Sequence, residues 1–209
     1  MMDGLTFRDL DESEASSARD LFCTHTDFHA RHVVARLPAY FDIARHLEPD
    51  EVFFARQRIV AGAFLDRTLI GTIAIEPTHS IHEVDLVDSD AIWDRFTEHE
   101  VNVYCTLTAD LERTYIGAPP NTLTAHSLAV HPDHRRRGIA RSLLVHTLAA
   151  LTHAEQRSLY IETARNKHLV RLCESVGFVP VRRTFSLSER LGFGSWGSVL
   201  FRYNVENRR

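Results

Sequence analysis

The segment 123–151 constrains the fold most, because a strand pattern runs straight into a glycine-containing turn and an amphipathic helix. Residues 123–130 are largely apolar and predict a strand. Residues 135–140 carry three arginines and one glycine and predict the turn. The helix that follows places its large apolar residues on one face: Ile139, Leu143, Leu144, Leu148 and Leu151. The segment therefore predicts a strand–turn–helix unit packed on a sheet.

Shorter patterns predict the other elements of an α+β or mixed α/β domain. Two helices are expected between residues 15 and 46, with Pro38 as the break between them. Residues 59–65 and 69–75 predict an antiparallel hairpin. Gly177 is expected to end the helix 167–176 in a left-handed conformation. Strands are also predicted at 5–10, 52–55, 158–162, 179–187 and 198–205, and a short helix at 90–99, within a poorly patterned stretch 77–121.

Composition limits the class of protein. Hydrophobic residues make up 44% of the chain and charged residues 25%, which is typical of globular proteins. No apolar run approaches the roughly 20 residues that span a bilayer, and the three cysteines form no CxxC pair. We expect one domain over residues 1–209, cytoplasmic and without a membrane partner. A formal net charge of −4 gives no reason to expect nucleic acid. Lysine occurs only at Lys167, an arginine bias that suggests a bacterial source.

The turn before the predicted helix has the chemistry of an anion site. The first turn of a helix offers backbone N–H groups and the positive end of the helix dipole. Gly138 and the small Ala140 would let a phosphate approach the backbone closely. The sequence is neither a P-loop nor the dinucleotide pattern GxGxxG. A pyrophosphate site is predicted here, and an ordinary basic helix start on the surface is the alternative.

Two motifs resemble the GNAT superfamily of N-acetyltransferases. Arg135-x-x-Gly138-x-Ala140, after Leu128-Ala129-Val130, resembles the acyl-CoA-binding motif of that family. The segment 166–178, NKHLVRLCESVGF, is similar to its second motif. The motifs cover about 125–180, and the order of predicted elements extends the likeness to most of the chain.

The resemblance implies a mixed, mostly antiparallel central sheet with a splayed strand pair and flanking helices. It implies acetyl-CoA as the acyl donor and no metal. The strand 128–130 would pair with the pantetheine arm, a backbone N–H near Leu128 would polarise the thioester carbonyl, and Asn166 would contact the cofactor or simply cap its helix. The implied cofactor-binding residues are Leu128, Ala129, Val130, Arg135, Arg136, Arg137, Gly138, Ile139, Ala140, Arg141 and Asn166.

His126 and Cys173 are the candidate catalytic residues. His126 lies on the cofactor strand, and its usual pKa is near neutral pH, which suits a base that deprotonates an amine. The string 126–131 also resembles the matching strand of arylalkylamine N-acetyltransferases, although Thr124 stands where those enzymes have a second histidine. Cys173 stands where many family members have a tyrosine thought to protonate the coenzyme A thiolate. For His126, the alternative is a side chain on the other face of the strand, bonded to a neighbour or to solvent. Core packing of Cys173, and another acid such as Tyr203 or Tyr115, stay open as well.

We therefore expect direct transfer of acetyl from acetyl-CoA to a small primary amine, in a ternary complex. Acetylation of a protein N-terminus or lysine is one alternative, and a non-catalytic acyl-CoA sensor is another. Elements within 15–48 and 77–121 would shape the acceptor site, and a homodimer paired through residues 198–205 stays open. Weaker candidates are a zinc site at His25, His29 and His32, a second base at Glu162, and acceptor-site walls from Tyr40, Phe41, Trp93, Phe96 and Tyr104.

Overall fold

The computed structural model describes residues 4–25, 33–78, 90–114, 116–151, 158–185 and 197–205. Within these residues, seven strands form one sheet in the order β1-β2-β3-β4-β5-β7-β6. Every neighbouring pair is antiparallel except β4 and β5. The strands are β1 (Leu5–Asp9), β2 (Ile59–Leu65), β3 (Thr68–Pro77), β4 (Leu123–Val130), β5 (Ser158–Ala164), β6 (Val179–Arg183) and β7 (Ser198–Asn204).

Helices cover both faces of this sheet. They are α1 (Ala15–His25), α2 (Tyr40–Leu47), α3 (Asp50–Arg56), α4 (Asp90–Trp93), α5 (Glu98–Thr114), α6 (Ile139–Ala150) and α7 (Lys167–Val176). Helices α6 and α7 bury the main core on one face, with Leu143 and Leu144 fully enclosed. Truncating such a leucine to alanine typically costs about 2–5 kcal/mol. On the other face, α1 packs on β3 and β4, over a smaller cluster that includes Ala18 and Ala74.

The splayed strand pair is confirmed at β4 and β5. Their parallel register covers only residues 123–125 of β4 and 159–161 of β5. Beyond that point β4 stays paired with β3, up to Val130 opposite Gly71. Strand β5 stays paired with β7, up to Ala164 opposite Ser198. The two strands therefore part at their carboxyl ends, and a V-shaped gap opens in the middle of the sheet.

A β-bulge lies directly after the last β4–β5 pair. Ala74 of β3 faces His126, and Thr72 faces Ala129, so one β3 residue spans two residues of β4. Ser127 takes a left-handed conformation there, with φ of 53°. Such bulges bend a strand and increase its twist, and this one follows directly on the point where β4 and β5 stop pairing.

Several predicted elements are confirmed, and the hairpin is the clearest. Strands β2 and β3 pair as predicted, and the two residues between them, Asp66 and Arg67, both have positive φ. That conformation is typical of the tight type I′ turn. Gly177 ends α7 with φ of 100°, also as predicted.

The strand predicted at 52–55 is wrong, since those residues belong to α3. Pro49 precedes this helix, and Asp50 and Glu51 occupy its first turn, where negative charge meets the positive end of the helix dipole. This helix-start chemistry outweighs the strand preference of Val52, Phe53 and Phe54.

The stretch 77–121 contains more helix than predicted, because α5 runs for 17 residues. Thr97 and Glu100 exchange hydrogen bonds at its start: the Thr97 N–H donates to the Glu100 carboxylate, and the Glu100 N–H donates to Thr97 Oγ1. This is a capping box, whose T-x-x-E pattern is visible in the sequence. Leu107 of α5 is buried with Ile43 of α2 in a third cluster.

The dimer route through residues 198–205 is wrong for the strand itself. Strand β7 pairs with β5 along one edge and with β6 along the other. Neither edge is left for the matching strand of a second copy. A homodimer through another surface stays a prediction.

Arg19 of α1 holds the corner between α2 and α3. Its guanidinium is buried and donates to the Glu48 carbonyl oxygen. It also pairs with the Asp50 carboxylate at 3.3 Å and lies 5.0 Å from the centre of the Phe53 ring. These contacts tie α3 to α1, and so fix the position of α3 over the part of β4 that follows the splay.

Candidate active site

Two titratable side chains flank the mouth of the splay. His126 and Glu162 each follow the last paired residues of their strands, Ala125 and Ile161. Ala125 and Ile161 face the core under α6 and α7. Because side chains alternate along a strand, His126 and Glu162 point to the opposite face, which α1 covers.

His126 is held by four neighbours. Its Nδ1 lies 2.8 Å from Ser127 Oγ, and its Nε2 lies 2.8 Å from Gln57 Oε1. The Glu76 carboxylate lies 3.6 Å from Nε2. The Phe53 ring stands edge-on to the imidazole, with 6.1 Å between the ring centres. The side chain keeps 28% of its surface exposed, so the ring is fixed in place and still accessible.

Desolvation lowers the pKa of His126 below its ordinary value. The negative charges of Glu76 and Glu48 oppose this shift, and the Arg56 guanidinium reinforces it. The imidazole is therefore uncharged at neutral pH, and a neutral imidazole can accept a proton.

The bulge takes two residues next to His126 out of register with β3. Neither Ser127 nor Leu128 has a register partner on β3, and β5 pairs with β4 no further than Ala125. A bulge leaves its extra residue outside the regular hydrogen-bond ladder. Leu128, whose N–H is predicted to contact a thioester carbonyl, thus has no register partner on either neighbouring strand.

The predicted anion site has the expected backbone. Gly138 precedes the first residue of α6 with φ of 83°, and Arg136 also has a positive φ, of 60°. Ile139 is buried and anchors the helix to the sheet, and Arg135 Nε donates to the Val130 carbonyl oxygen at 2.9 Å. The side chains of residues 135–137 and of Arg141 are exposed, so their positive charge faces solvent around the helix start.

Asn166 caps α7. Its Oδ1 accepts a hydrogen bond from the His168 N–H at 2.9 Å. Asparagine commonly caps the start of a helix in this way. A cofactor contact of Asn166 stays a prediction.

Cys173 is packed in the core. Its side chain lies in the cluster under α6 and α7 with 2% of its surface exposed. Burial raises the pKa of the thiol to about 12. The location favours a packing role over proton donation to a leaving thiolate.

Tyr203 and Tyr115 are the predicted alternatives to Cys173 as the acid. Tyr203 faces Leu159, at the end of β5 opposite to the splay mouth, and its ring packs on Phe178 with 5.3 Å between the ring centres. Tyr115 lies outside the described residues.

Glu162 is bound to a loop and does not simply face solvent. Its carboxylate accepts hydrogen bonds from the Ile116 and Gly117 N–H groups at 2.9–3.2 Å. The loop between α5 and β4 is thereby attached to β5, close to the mouth of the splay. Sequence reasoning singled out Glu162 but did not predict this attachment.

Most of the predicted acceptor walls belong to the cluster between α2 and α5. Tyr40 and Tyr104 contact each other with 4.8 Å between ring centres, and burial raises the pKa of Tyr104 to about 12. Phe96 packs in the same cluster and contacts His46. Phe41 lies edge-on to Tyr40. Trp93 is exposed.

Within the described part of the chain, no three histidine, cysteine or acidic side chains form a metal-binding group. His29 and His32 lie outside that part. No described helix is long and apolar enough to cross a membrane.

Sequence reasoning missed Gln57 and gave Ser127 no role. Gln57 follows α3, part of which the sequence pattern predicts as a strand. Ser127 reaches His126 only because of the bulge, and no local pattern in the sequence announced a bulge at that residue.

Comparison with known proteins gives a family and a fold. Residues 20–178 match the family model described as the acetyltransferase (GNAT) family. No curated protein matches the chain. Among solved structures, the Salmonella typhimurium protein yncA, determined with its cofactor acetyl-CoA, is similar at 15% identity, with 99% of this chain and 96% of that chain covered and a TM-score of 0.56.

Two further solved structures show the same fold. The protein described as arylalkylamine N-acetyltransferase 7 from the yellow fever mosquito is 14% identical, with 97% of this chain and 88% of that chain covered and a TM-score of 0.62. A spermidine N-acetyltransferase chimera of Vibrio cholerae SpeG and hSSAT is 16% identical, with 97% and 96% covered and a TM-score of 0.56. At these identities the likeness establishes the fold alone.

The surroundings of His126 predict its titration. We expect NMR titration of the ring to give a pKa below the ordinary 6.5. The unfolded chain then binds a proton more readily than the folded protein, so the free energy of unfolding falls as the pH drops from about 6.5 through the lowered pKa. His126→Gln should weaken this pH dependence in urea denaturation. A ring pKa at or above 6.5 would contradict the prediction.

Proposed function

The chain belongs to the GNAT family of acetyltransferases, and on that premise we propose that it transfers acetyl from acetyl-CoA to the primary amine of a small molecule. The observation that carries the proposal is the juxtaposition, at one point of the sheet, of the splay, the bulge and His126. The splay offers a place for the thioester, the bulge a backbone donor, and His126 a base.

The carboxyl-terminal half of β4 would bind the pantetheine arm. Its pairing with β5 ends at Ala125, so the edge of residues 128–130 that faces the gap can hydrogen-bond an extended amide-containing ligand. Buried backbone groups require such partners, and pantetheine carries two amides. Ala129 is buried and small, which favours a close approach.

The pyrophosphate would bind at the start of α6. Backbone N–H groups of residues 136–141, the helix dipole and the exposed arginines all favour negative charge at this end. Gly138 takes the left-handed turn that aims the chain into the helix. Asn166, at the start of α7, is proposed as a further cofactor contact.

The reaction would be a direct attack within a ternary complex. The amine nitrogen forms a bond to the thioester carbonyl carbon, and the carbonyl oxygen becomes negative and accepts a hydrogen bond from the Leu128 N–H. The carbon–sulfur bond then breaks, and its electron pair leaves on the coenzyme A sulfur. The proton that the amine nitrogen loses ends on the imidazole of His126. Since Cys173 is buried, we assign no acid, and the thiolate would be protonated by water.

A small acceptor is supported by the covering of this face. The loop between α5 and β4 is attached to Glu162 beside the splay, and α3 approaches His126 through Phe53 and Gln57. An extended peptide requires an open groove, which these attachments narrow. The names of two similar structures, an arylalkylamine and a spermidine N-acetyltransferase, also point to amines.

The test is coenzyme A release from acetyl-CoA in the presence of phenethylamine, tryptamine, spermidine, an aminoglycoside or a short peptide. We expect turnover of a small amine, and His126→Gln should lower kcat/KM by about 10²–10⁴-fold, the usual contribution of a general base. The affinity for acetyl-CoA should not change. The control variant is His146→Gln. His146 lies on α6, on the other face of the sheet, so this variant should keep the wild-type rate.

Other outcomes would point elsewhere. A peptide acetylated faster than every small amine would indicate a protein acceptor. Tight acetyl-CoA binding without turnover of any acceptor would indicate a sensor.

Two left-handed glycines provide a matched test of the pyrophosphate site. Gly138→Ala and Gly177→Ala both force an alanine into positive φ, at 83° and 100°, which costs about 1–2 kcal/mol of stability. We expect only Gly138→Ala to weaken acetyl-CoA binding in calorimetry, by about tenfold or 1.4 kcal/mol. Equal affinities in the two variants would contradict this placement.

A further inference from the structure

The side-chain amide of Gln57 has a defined orientation. Its Nε2 donates to the Phe53 carbonyl oxygen at 3.0 Å. The same amide presents Oε1 to His126 Nε2 at 2.8 Å. Because a carbonyl-type oxygen can only accept, His126 Nε2 must carry a hydrogen.

This contact fixes the tautomer of the neutral imidazole. A neutral ring with its hydrogen on Nε2 has its lone pair on Nδ1. Ser127 Oγ lies 2.8 Å from Nδ1, so the serine hydroxyl donates to the ring. The oxygen of Ser127 then has lone pairs left to accept a hydrogen bond from a third group.

The bulge makes this contact possible. Neighbouring residues of a regular strand point to opposite faces of the sheet, yet the side chains of His126 and Ser127 meet. The left-handed φ of 53° at Ser127 brings its hydroxyl to the histidine. This conformation is unfavourable for a non-glycine residue, and such strain clusters at functional sites.

We propose that Ser127 is a catalytic residue that relays the proton of the attacking amine to His126 Nδ1, and that Gln57 is a positioning residue that keeps Nδ1 able to accept it. This inference rests on the proposed function and names the route by which the proton leaves the acceptor. In this route the hydroxyl of Ser127, a buried residue, is the group that accepts the hydrogen of the acceptor nitrogen in the ternary complex.

The atoms of the relay balance. As the nitrogen–carbon bond forms, a nitrogen hydrogen passes to Ser127 Oγ, and the hydrogen of Ser127 passes to His126 Nδ1. The serine is unchanged after the step, and the histidine becomes an imidazolium. The carbon–sulfur bond breaks with its electron pair on sulfur. The imidazolium later returns its proton to water.

The charges around His126 suit a transient imidazolium. Glu76 lies 3.6 Å from Nε2, and the charge of Glu48 acts in the same direction, while Arg56 opposes it. The two carboxylates stabilise the positive ring that forms during the step, and desolvation returns the ring to its neutral state afterwards.

Ser127→Gly is the most informative variant, since glycine accepts positive φ without strain and the variant should fold at least as stably. With the fastest small amine of the panel, we expect kcat to fall by about 10²-fold and the affinity for acetyl-CoA to stay unchanged. The proton inventory of kcat in mixtures of light and heavy water should be curved for the wild type, because two protons move together, and linear for Ser127→Gly. Ser175→Ala, which removes an exposed hydroxyl on α7, should leave the rate unchanged.

The role of Gln57 has a readout independent of turnover. Nitrogen-15 NMR of the protein without substrate should show His126 with its hydrogen on Nε2. Gln57→Leu should mix the two tautomers and lower kcat with little change in KM for acetyl-CoA.

The results of these experiments distinguish a failure of the relay from a failure of the proposed function. Full activity of Ser127→Gly would overturn the relay alone. An acetyl group trapped on Ser127 in the wild type would overturn both the relay and the direct attack, but not acetyl transfer to an amine. A wild-type protein that binds acetyl-CoA and acetylates no amine would overturn the proposed function and the relay with it.

Discussion

The parallel pairing of β4 and β5 ends after three residue pairs, and every feature of the candidate site depends on that ending. Each strand stays attached to the sheet by its other neighbour, so the gap opens without loss of the surrounding hydrogen bonds. The bulge at Ser127 follows directly and bends β4 out of line. The end of the β4–β5 pairing creates the opening, and the bulge shifts the backbone of Leu128 out of the regular ladder and brings the Ser127 hydroxyl to His126.

The two faces of the sheet differ in what they contribute to the candidate site. The α6 and α7 face contains the main core and supports the helix start that suits a pyrophosphate. The α1 face carries the titratable groups, and there α3 contacts His126 through Phe53. The buried guanidinium of Arg19 binds the chain between α2 and α3. It thereby fixes the position of the side chains that hold the His126 imidazole. Placement of His126 therefore depends on residues about seventy positions away from it.

The sequence predicted the parts of this arrangement that local patterns encode. The hairpin of β2 and β3, the helix that begins after Gly138 and the cap at Gly177 follow from alternation, periodicity and glycine chemistry, and all are present. The splay came from the resemblance to a family. Helix α3 was missed because its β-branched and aromatic residues resemble a strand, while its start signals are Pro49 and two acidic residues. The hydrogen bonds of Gln57 and Glu162 join residues 69 and 45–46 positions apart, and no local pattern encodes such contacts.

The proposed mechanism requires the thioester to lie in the gap beside the bulge. The most direct measurement is a crystal structure with a coenzyme A analogue in which a methylene group separates sulfur from the acetyl carbonyl, so that no transfer occurs. The proposed binding mode places the carbonyl oxygen within hydrogen-bond distance of the Leu128 N–H, the pyrophosphate on the first turn of α6 and the acetyl group beside Ser127. An analogue bound outside the β4–β5 gap, or one whose carbonyl points away from Leu128, would contradict it.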